Sequence, residues 1–248
     1  MVSLSICIIT CNEEHNIRRC LESVSWANEI VVFDSGSTDK TVAICHEYTQ
    51  QVFITEDWPG YGVQRERAIA KATGDWVLLI DADEEITPRL KHEIQATLAK
   101  KNNVYAAYKI PFQSYFCGYP IKYGDWKGET HLRLVQRNKA TMDACIVHEK
   151  VLVNGKIGLL NSKILHHSFP NLQQVIYKIN LYSDYGARKN QLAGSSASIF
   201  TAIGHGVFAF VRSYIIKLGF LDGKYGFMLA IAQAEGSYYK YLKLSLMR

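Results

Sequence analysis

Two carboxylates stand one residue apart in Gly74-Asp75-Trp76-Val77-Leu78-Leu79-Ile80-Asp81-Ala82-Asp83-Glu84. Asp81 and Asp83 repel each other unless positive charge stands between them, and a divalent cation with oxygen ligands supplies that charge. Mn²⁺ or Mg²⁺ suits such an all-oxygen site. The plain alternative is an acidic turn ahead of a helix that Thr87-Pro88 opens at Arg89. Two other short stretches carry polar groups of a different kind. Thr10, Asn12 and Glu13 follow one apolar run, and Asp34, Ser35 and Ser37 follow another. Hydroxyls and carboxylates of this sort suit a ribose and a base edge better than a pyrophosphate. Asp34 and Asp39 have a structural alternative, as turn stabilisers and helix caps.

The elements that must position these groups can be read from the apolar pattern. Trp76–Ile80 is five apolar residues between a Gly-Asp turn and the acidic cluster, as expected of a strand buried on both faces of a parallel sheet. Leu4–Ile9, Glu29–Phe33 and Gln51–Ile54 read as further strands. Ile17, Cys20, Leu21 and Val24 have the spacing of one helix face, with Asn12 as its expected cap, and a second helix is expected from Thr41 to Tyr48. Strand, helix, strand, helix, strand is the rhythm of a doubly wound sheet. Ligands of such sheets bind at the carboxyl ends of the strands, where Thr10, Asp34 and Asp81 fall.

Composition and missing motifs narrow the class. The chain has 248 residues, of which 48% are hydrophobic and 21% charged, an ordinary globular balance. It contains neither G-x-G-x-x-G nor G-x-x-x-x-G-K-[ST], which disfavours a dinucleotide-dependent dehydrogenase and a P-loop ATPase. Six scattered cysteines without a C-x-x-C pair point to a reducing compartment. The first apolar run is too short for a secretory signal and lacks a basic leader.

Ile8-Ile9-Thr10-Cys11-Asn12-Glu13, Asp34-Ser35-Gly36-Ser37-Thr38-Asp39-Lys40-Thr41 and Asp81-Ala82-Asp83-Glu84, in that order and spacing, resemble the family-2 glycosyltransferases of GT-A fold. Gly60-Tyr61-Gly62-Val63-Gln64-Arg65-Glu66-Arg67-Ala68 is similar to the family's G-x-x-x-x-R-N-x-A-like segment near the donor phosphates, with Glu66 in place of the usual Asn. More narrowly, the chain resembles bacterial lipopolysaccharide inner-core β-glucosyltransferases, strongly over residues 1 to about 170 and loosely beyond. The resemblance implies that Thr10, Glu13 and Asp34 hold the nucleoside, with Asn12, Ser37 and Arg65 beside the donor. It also implies that Asp81 and Asp83 hold ribose and a metal-bound diphosphate. The implied fold is α/β, a mostly parallel central sheet with flanking helices and a C-terminal helical extension. A donor half at 1–100, an acceptor half at 101–170 and a helical tail at 171–248 are expected.

In the acceptor half, Val104–Pro111, Leu132–Gln136 and Lys163–His167 read as extended, after a helix from Arg89 to Lys101. Tyr115, Phe116, Tyr119, Tyr123 and Trp126 are close in sequence, either stacking on sugar C–H faces or packing as core. Inverting transfer needs a carboxylate to take the acceptor hydroxyl's proton. The candidates are Asp125, Glu129 and Glu149, with Glu129 ranked first. Glu129 lies in a stretch that resembles the subgroup's W-x-x-[DE]-x-x-L-R-L, and Glu149 in one that resembles its V-H-E. His148 is a candidate metal ligand, phosphate orienter or plain structural histidine, and Arg133 or Arg137 is expected to meet phosphate.

The net charge of +5 is concentrated at one end: residues 171–248 hold nine of the 28 Lys and Arg but three of the 23 Asp and Glu. Nucleic-acid binders more often spread basic residues over a binding face. Here they are mixed with Phe208, Phe210, Tyr214, Phe220, Phe227, Tyr238 and Tyr239, which suggests helices lying on an anionic membrane surface; packing on the catalytic domain or a second subunit is the alternative. Residues 193–211 lack formal charge but are diluted by Gly and Ser, and read as a poor spanning segment. The expected activity is metal-dependent, inverting transfer of a hexose, glucose from UDP-glucose, onto an inner-core heptose. The expected partners are a UDP-sugar donor, a lipid-linked core oligosaccharide acceptor and the inner face of a bacterial inner membrane, with no nucleic acid. Transfer to another glycan, or a nucleotide-sugar binder without activity, are the competitors.

Overall fold

All seven residues of Leu4–Thr10 (β1) are buried, which only a strand with sheet neighbours on both sides and cover on both faces can achieve. The computed structural model describes residues 2–100, 103–142 and 151–247. After β1 come Ile17–Val24 (α1), Glu29–Asp34 (β2), Thr41–His46 (α2), Val52–Ile54 (β3), Tyr61–Lys71 (α3), Trp76–Asp81 (β4), Glu84–Ile86 (β5) and Pro88–Leu98 (α4). They are followed by Tyr105–Phe116 (β6), Tyr119–Pro120 (β7), Thr130–Gln136 (β8), Ala140–Met142 (β9), Val151–Val153 (β10), Lys156–Leu159 (β11) and Ile164–Phe169 (β12). Leu172–Leu192 (α5), Ile199–Val211 (α6) and Gly223–Leu246 (α7) close the described chain.

The sheet runs β3-β2-β1-β4-β8-β6-β12-β5. β1, β2, β3 and β4 pair in parallel, while β4 with β8, β6 with β8 and β12 with β5 pair antiparallel. This is the GT-A-type architecture expected, α/β with helices on both sheet faces and a helical C-terminal stretch. Alternation along β1 divides the core. Ile6 and Ile8 pack with Ile17, Leu21 and Val24 of α1 on one face, whereas Cys7 and Ile9 pack with Ala68 and Ile69 of α3 on the other. Thr87 caps α4 by accepting from the Leu90 N–H at 3.2 Å, with Pro88 in the first turn, as the Thr-Pro pair predicts.

Three expectations change. Asn12 does not cap α1: it sits in the left-handed region at φ 54°, and Asn16 occupies the cap position. The acidic turn after β4 is followed by a short strand, β5, before the helix. Ile199–Ile216 forms one 18-residue helical stretch of mean hydropathy 1.5, long and apolar enough by length and composition to cross a membrane. The Gly/Ser-rich residues that dilute 193–211 lie mostly before this helix starts. The segment continues past Arg212 through a π-helical turn instead.

The chain groups into two units: residues 1–112 with 130–166, and residues 113–129 with 167–248. The expected acceptor half is therefore divided, and 113–129 belongs with the helices. The second unit has its own core, in which Phe116, Ile121, Val175 and Leu229 are buried against Trp126, Phe169 and Met228. Trp126 stacks on Phe169 with ring centroids 5.7 Å apart and Tyr119 on Tyr225 at 4.4 Å, so three of the five clustered aromatics, Phe116, Tyr119 and Trp126, serve packing.

Candidate functional site

Strand register builds the site. Thr10 pairs with Asp34 across β1 and β2, and Ile9 with Asp81 across β1 and β4. The strand order reverses about β1, so three polar strand ends open on one sheet edge at the switch point.

The loops after β1 and β2 are tied to each other. The Asn12 N–H donates to Ser37 Oγ at 2.7 Å, and Asn12 Oδ1 accepts from the Thr38 N–H at 2.8 Å. Asp34, fully buried, accepts from the Ser37 N–H at 2.7 Å and from the Ser37 hydroxyl. Gly36, at φ 80°, supplies the left-handed residue that this turn requires. The Glu13 N–H donates to Thr41 Oγ1, and Glu13 Oε2 accepts from Asn16 Nδ2 at 2.7 Å. Asp39 accepts from the Thr41 and Glu14 N–H groups, which is the turn-and-cap role. Asn12 and Ser37 thus shape the loop with their side chains. Thr10 differs: its hydroxyl is buried without a hydrogen-bond partner among the described residues.

A four-residue ionic cluster lies beneath the acidic turn. Arg65 Nη2 donates to Asp81 Oδ1 at 2.8 Å and Oδ2 at 2.9 Å. Arg133 Nη2 donates to Asp81 Oδ2 at 3.0 Å and also to the wholly buried Glu84. Glu84 Oε2 in turn accepts from the Asp81 N–H at 3.0 Å. Burial works to raise the Asp81 carboxyl, but the Arg133 and Arg65 guanidiniums outweigh it and hold it well below the usual range. In Glu84 burial wins, pushing the carboxyl up to about 7 against the pull of Arg133. Arg65 is carried on α3, which Gln64 fastens to the strand ends through Ser35 Oγ at 2.9 Å and Thr55 Oγ1 at 2.7 Å.

These contacts decide which residues fit a cation. Both oxygens of Asp81 accept from guanidinium groups, so Arg65 and Arg133 fix the orientation of this carboxylate. Asp83 keeps 14% of its side chain exposed, and His166 Nε2 lies 3.4 Å from its Oδ2. One carboxylate with one imidazole is a donor set that a divalent ion accepts. Among the described residues no three of His, Cys, Asp and Glu converge on one point. His148 and Glu149 lie outside the described residues.

In the second unit Asp125 is not a base in waiting. It accepts from Arg212 Nε at 3.1 Å and Nη2 at 2.8 Å, and Lys217 Nζ stands 3.0 Å away. Burial raises its carboxyl, but hydrogen bonds to Arg212 and Lys217 prevail and lower it, the opposite of what proton abstraction needs. Glu129 is half-buried, directly before β8.

Sequence reading missed three participants: Gln64, Glu84 and His166. Gln64 and Glu84 stand inside the recognised motifs but lack a residue type that signals burial. His166, on β12, carries no local signal.

Residues 5–148 match the family model described as glycosyl transferase family 2. An uncharacterized glycosyltransferase of Rickettsia conorii is 32% identical over 259 residues, spanning 97% of this chain and 89% of the relative. The lipopolysaccharide core biosynthesis glycosyltransferase LpsC of Rhizobium meliloti is 30% identical, spanning 93% of this chain and 87% of the relative. Among solved structures, glucosyl-3-phosphoglycerate synthase of Mycobacterium tuberculosis, in complex with Mn²⁺ and UDP-glucose, is 20% identical with a TM-score of 0.40, over 55% of this chain and 57% of that one. At that distance the likeness places no ligand in this chain.

Proposed function

The chain belongs to glycosyl transferase family 2, and from that premise we propose that it transfers a hexose, glucose from UDP-glucose, with inversion onto an inner-core heptose of a lipid-linked lipopolysaccharide core. The observation that carries this reading is the common sheet edge at which register brings together Thr10, Asp34 and the Asp81–Glu84 turn. The 30% identity to a lipopolysaccharide core glycosyltransferase over 93% of the chain supports the acceptor class.

In this reading the Thr10 hydroxyl, buried and unpartnered, is completed by the nucleoside, and Asp34 holds the turn that receives it. Arg65 and Arg133 fix Asp81, so that the backbone of the turn is set before the donor arrives. A divalent cation held by Asp83 would neutralise the charge that grows on the departing diphosphate. Glu129 accepts the acceptor hydroxyl's proton as the new C–O bond forms at the anomeric carbon and the bond to phosphate breaks; Glu149 is the alternative base. Reaction at the cytoplasmic face of the inner membrane fits a lipid-linked acceptor.

The test is UDP release with donor and core acceptor. Asp83→Ala should abolish turnover. Chelation should abolish it in the wild type, with Mn²⁺ restoring it. Full turnover in chelator would sink the metal assignment. Mass spectrometry of the core from a strain lacking this chain should show a missing hexose, and an unchanged core would sink the acceptor assignment.

A further inference from the structure

α6 is built inside out for a helix in water. Its buried residues are small: Ala202, Gly206 and Ala209. They let α6 approach α7 so closely that a Cβ on Gly206 would stand 3.1 Å from the Tyr238 Cβ. Most of its large apolar residues face outward instead, Phe210 excepted, which packs on Phe227 of α7. Phe200 is 81% exposed and Val207 60%, with Ile203 and Phe208 exposed beside them. The spacing of Phe200, Ile203 and Val207 gives one continuous stripe. Ile215 and Ile216 extend the apolar surface beyond the helix.

The charge around this face has one sign. From residue 185 to 221 the chain carries no Asp or Glu, but has Arg188, Lys189, Arg212 and Lys217. We infer that the outward face of α6 is a docking surface that inserts into an anionic phospholipid bilayer, with the helix lying in the interface plane. This rests on the transferase reading above only in giving that enzyme's lipid-linked acceptor a surface on which to be met. A second copy of this chain is a poorer occupant, because residues 171–248 carry nine basic against three acidic groups and two such tails would repel.

The helix lies on the bilayer and does not cross it. Its inner face is committed to α7 through Gly206, and at its far end Arg212 is held by Asp125. Attachment is also chiefly apolar. Arg212 and Lys217 share the single carboxylate of Asp125, which offsets one of their two charges, and Arg188 pairs with Asp184 at 2.9 Å, so part of the basic excess faces protein carboxylates. Insertion of exposed side chains is not screened by salt.

Flotation of the full chain with phosphatidylcholine–phosphatidylglycerol vesicles tests this. Binding should persist in about 1 M salt, where the Debye length is only about 3 Å. Phe200→Ser, and the triple variant Phe200→Ser, Val207→Ser, Phe208→Ser, should weaken it, the triple by at least about tenfold. Both should keep the wild-type melting temperature and donor hydrolysis. Complete release of the wild type by salt, wild-type-like flotation of the triple variant, or resistance to alkaline carbonate extraction would each overturn the inference. So would a wild-type dimer that the triple variant dissolves. Absence of donor hydrolysis from wild type and variants alike would sink the transferase reading and leave the docking result standing.

Discussion

Arg133 serves two carboxylates at once, and both depend on it. Glu84 has no exposed surface, and Asp81 shares its oxygens between Arg133 and Arg65. Removing one partner of a buried ionic cluster leaves charge without compensation, which typically costs about 3–5 kcal/mol. Arg133→Met should therefore destabilise the fold by about that amount in chemical denaturation, and a wild-type midpoint would show the cluster to be dispensable. Glu129 is a different kind of residue, assigned as base from the resemblance of its stretch to the subgroup's W-x-x-[DE]-x-x-L-R-L. Loss of a general base lowers rates by about 10² to 10⁴, so Glu129→Gln should reduce kcat on that scale while UDP affinity stays nearly unchanged. The same signature in Glu149→Gln, and not in Glu129→Gln, would reverse the ranking.

Elements in the helical unit are held by close backbone approach. Gly226, in the first turn of α7, faces the carbonyl of Gly219; a Cβ built there would stand 1.8 Å from that oxygen. The obstacle is backbone and cannot rotate away, unlike the end of a side chain. Overpacking costs typically about 1–3 kcal/mol, and Gly226→Ala should cost at least that, read as a lowered melting temperature of the whole chain. An unchanged melting temperature would mean that the loop before α7 yields freely. Asp222, just before α7, accepts from the Lys122 and Tyr123 N–H groups at 2.9 and 2.8 Å, so this loop also anchors the inserted segment 113–129.

At the scale of the molecule, the second unit is assembled from two stretches far apart in sequence, and Asp125 joins them through Arg212 and Lys217. Its carboxyl is lowered in the folded chain relative to about 3.9 when unfolded. The stability it confers is therefore fully present above the unfolded value and is lost as pH falls through the lower folded one. Asp125→Asn should be less stable than wild type at neutral pH, and the difference should shrink as pH falls below about 4. A difference independent of pH, measured by urea unfolding across that range, would assign the loss to packing and not to charge.

The strands were legible because a buried parallel strand is a short, unbroken apolar run, and such runs at 4–9, 29–33 and 76–80 are local facts. The polar groups at their ends follow directly, which is why Thr10, Asp34 and the Asp81–Glu84 turn are legible in the sequence alone. Long-range pairing was not legible. Arg65 and Arg133 reach Asp81 across 16 and 52 residues, and Arg212 reaches Asp125 across 87. No local pattern records such closures, and they bear on two candidate roles, Asp81 as metal ligand and Asp125 as base. The outward face of α6 was hidden for another reason. A helix that is apolar all round has no polar side to fix its phase, so only packing against α7 decides that its small residues point in and its large ones out.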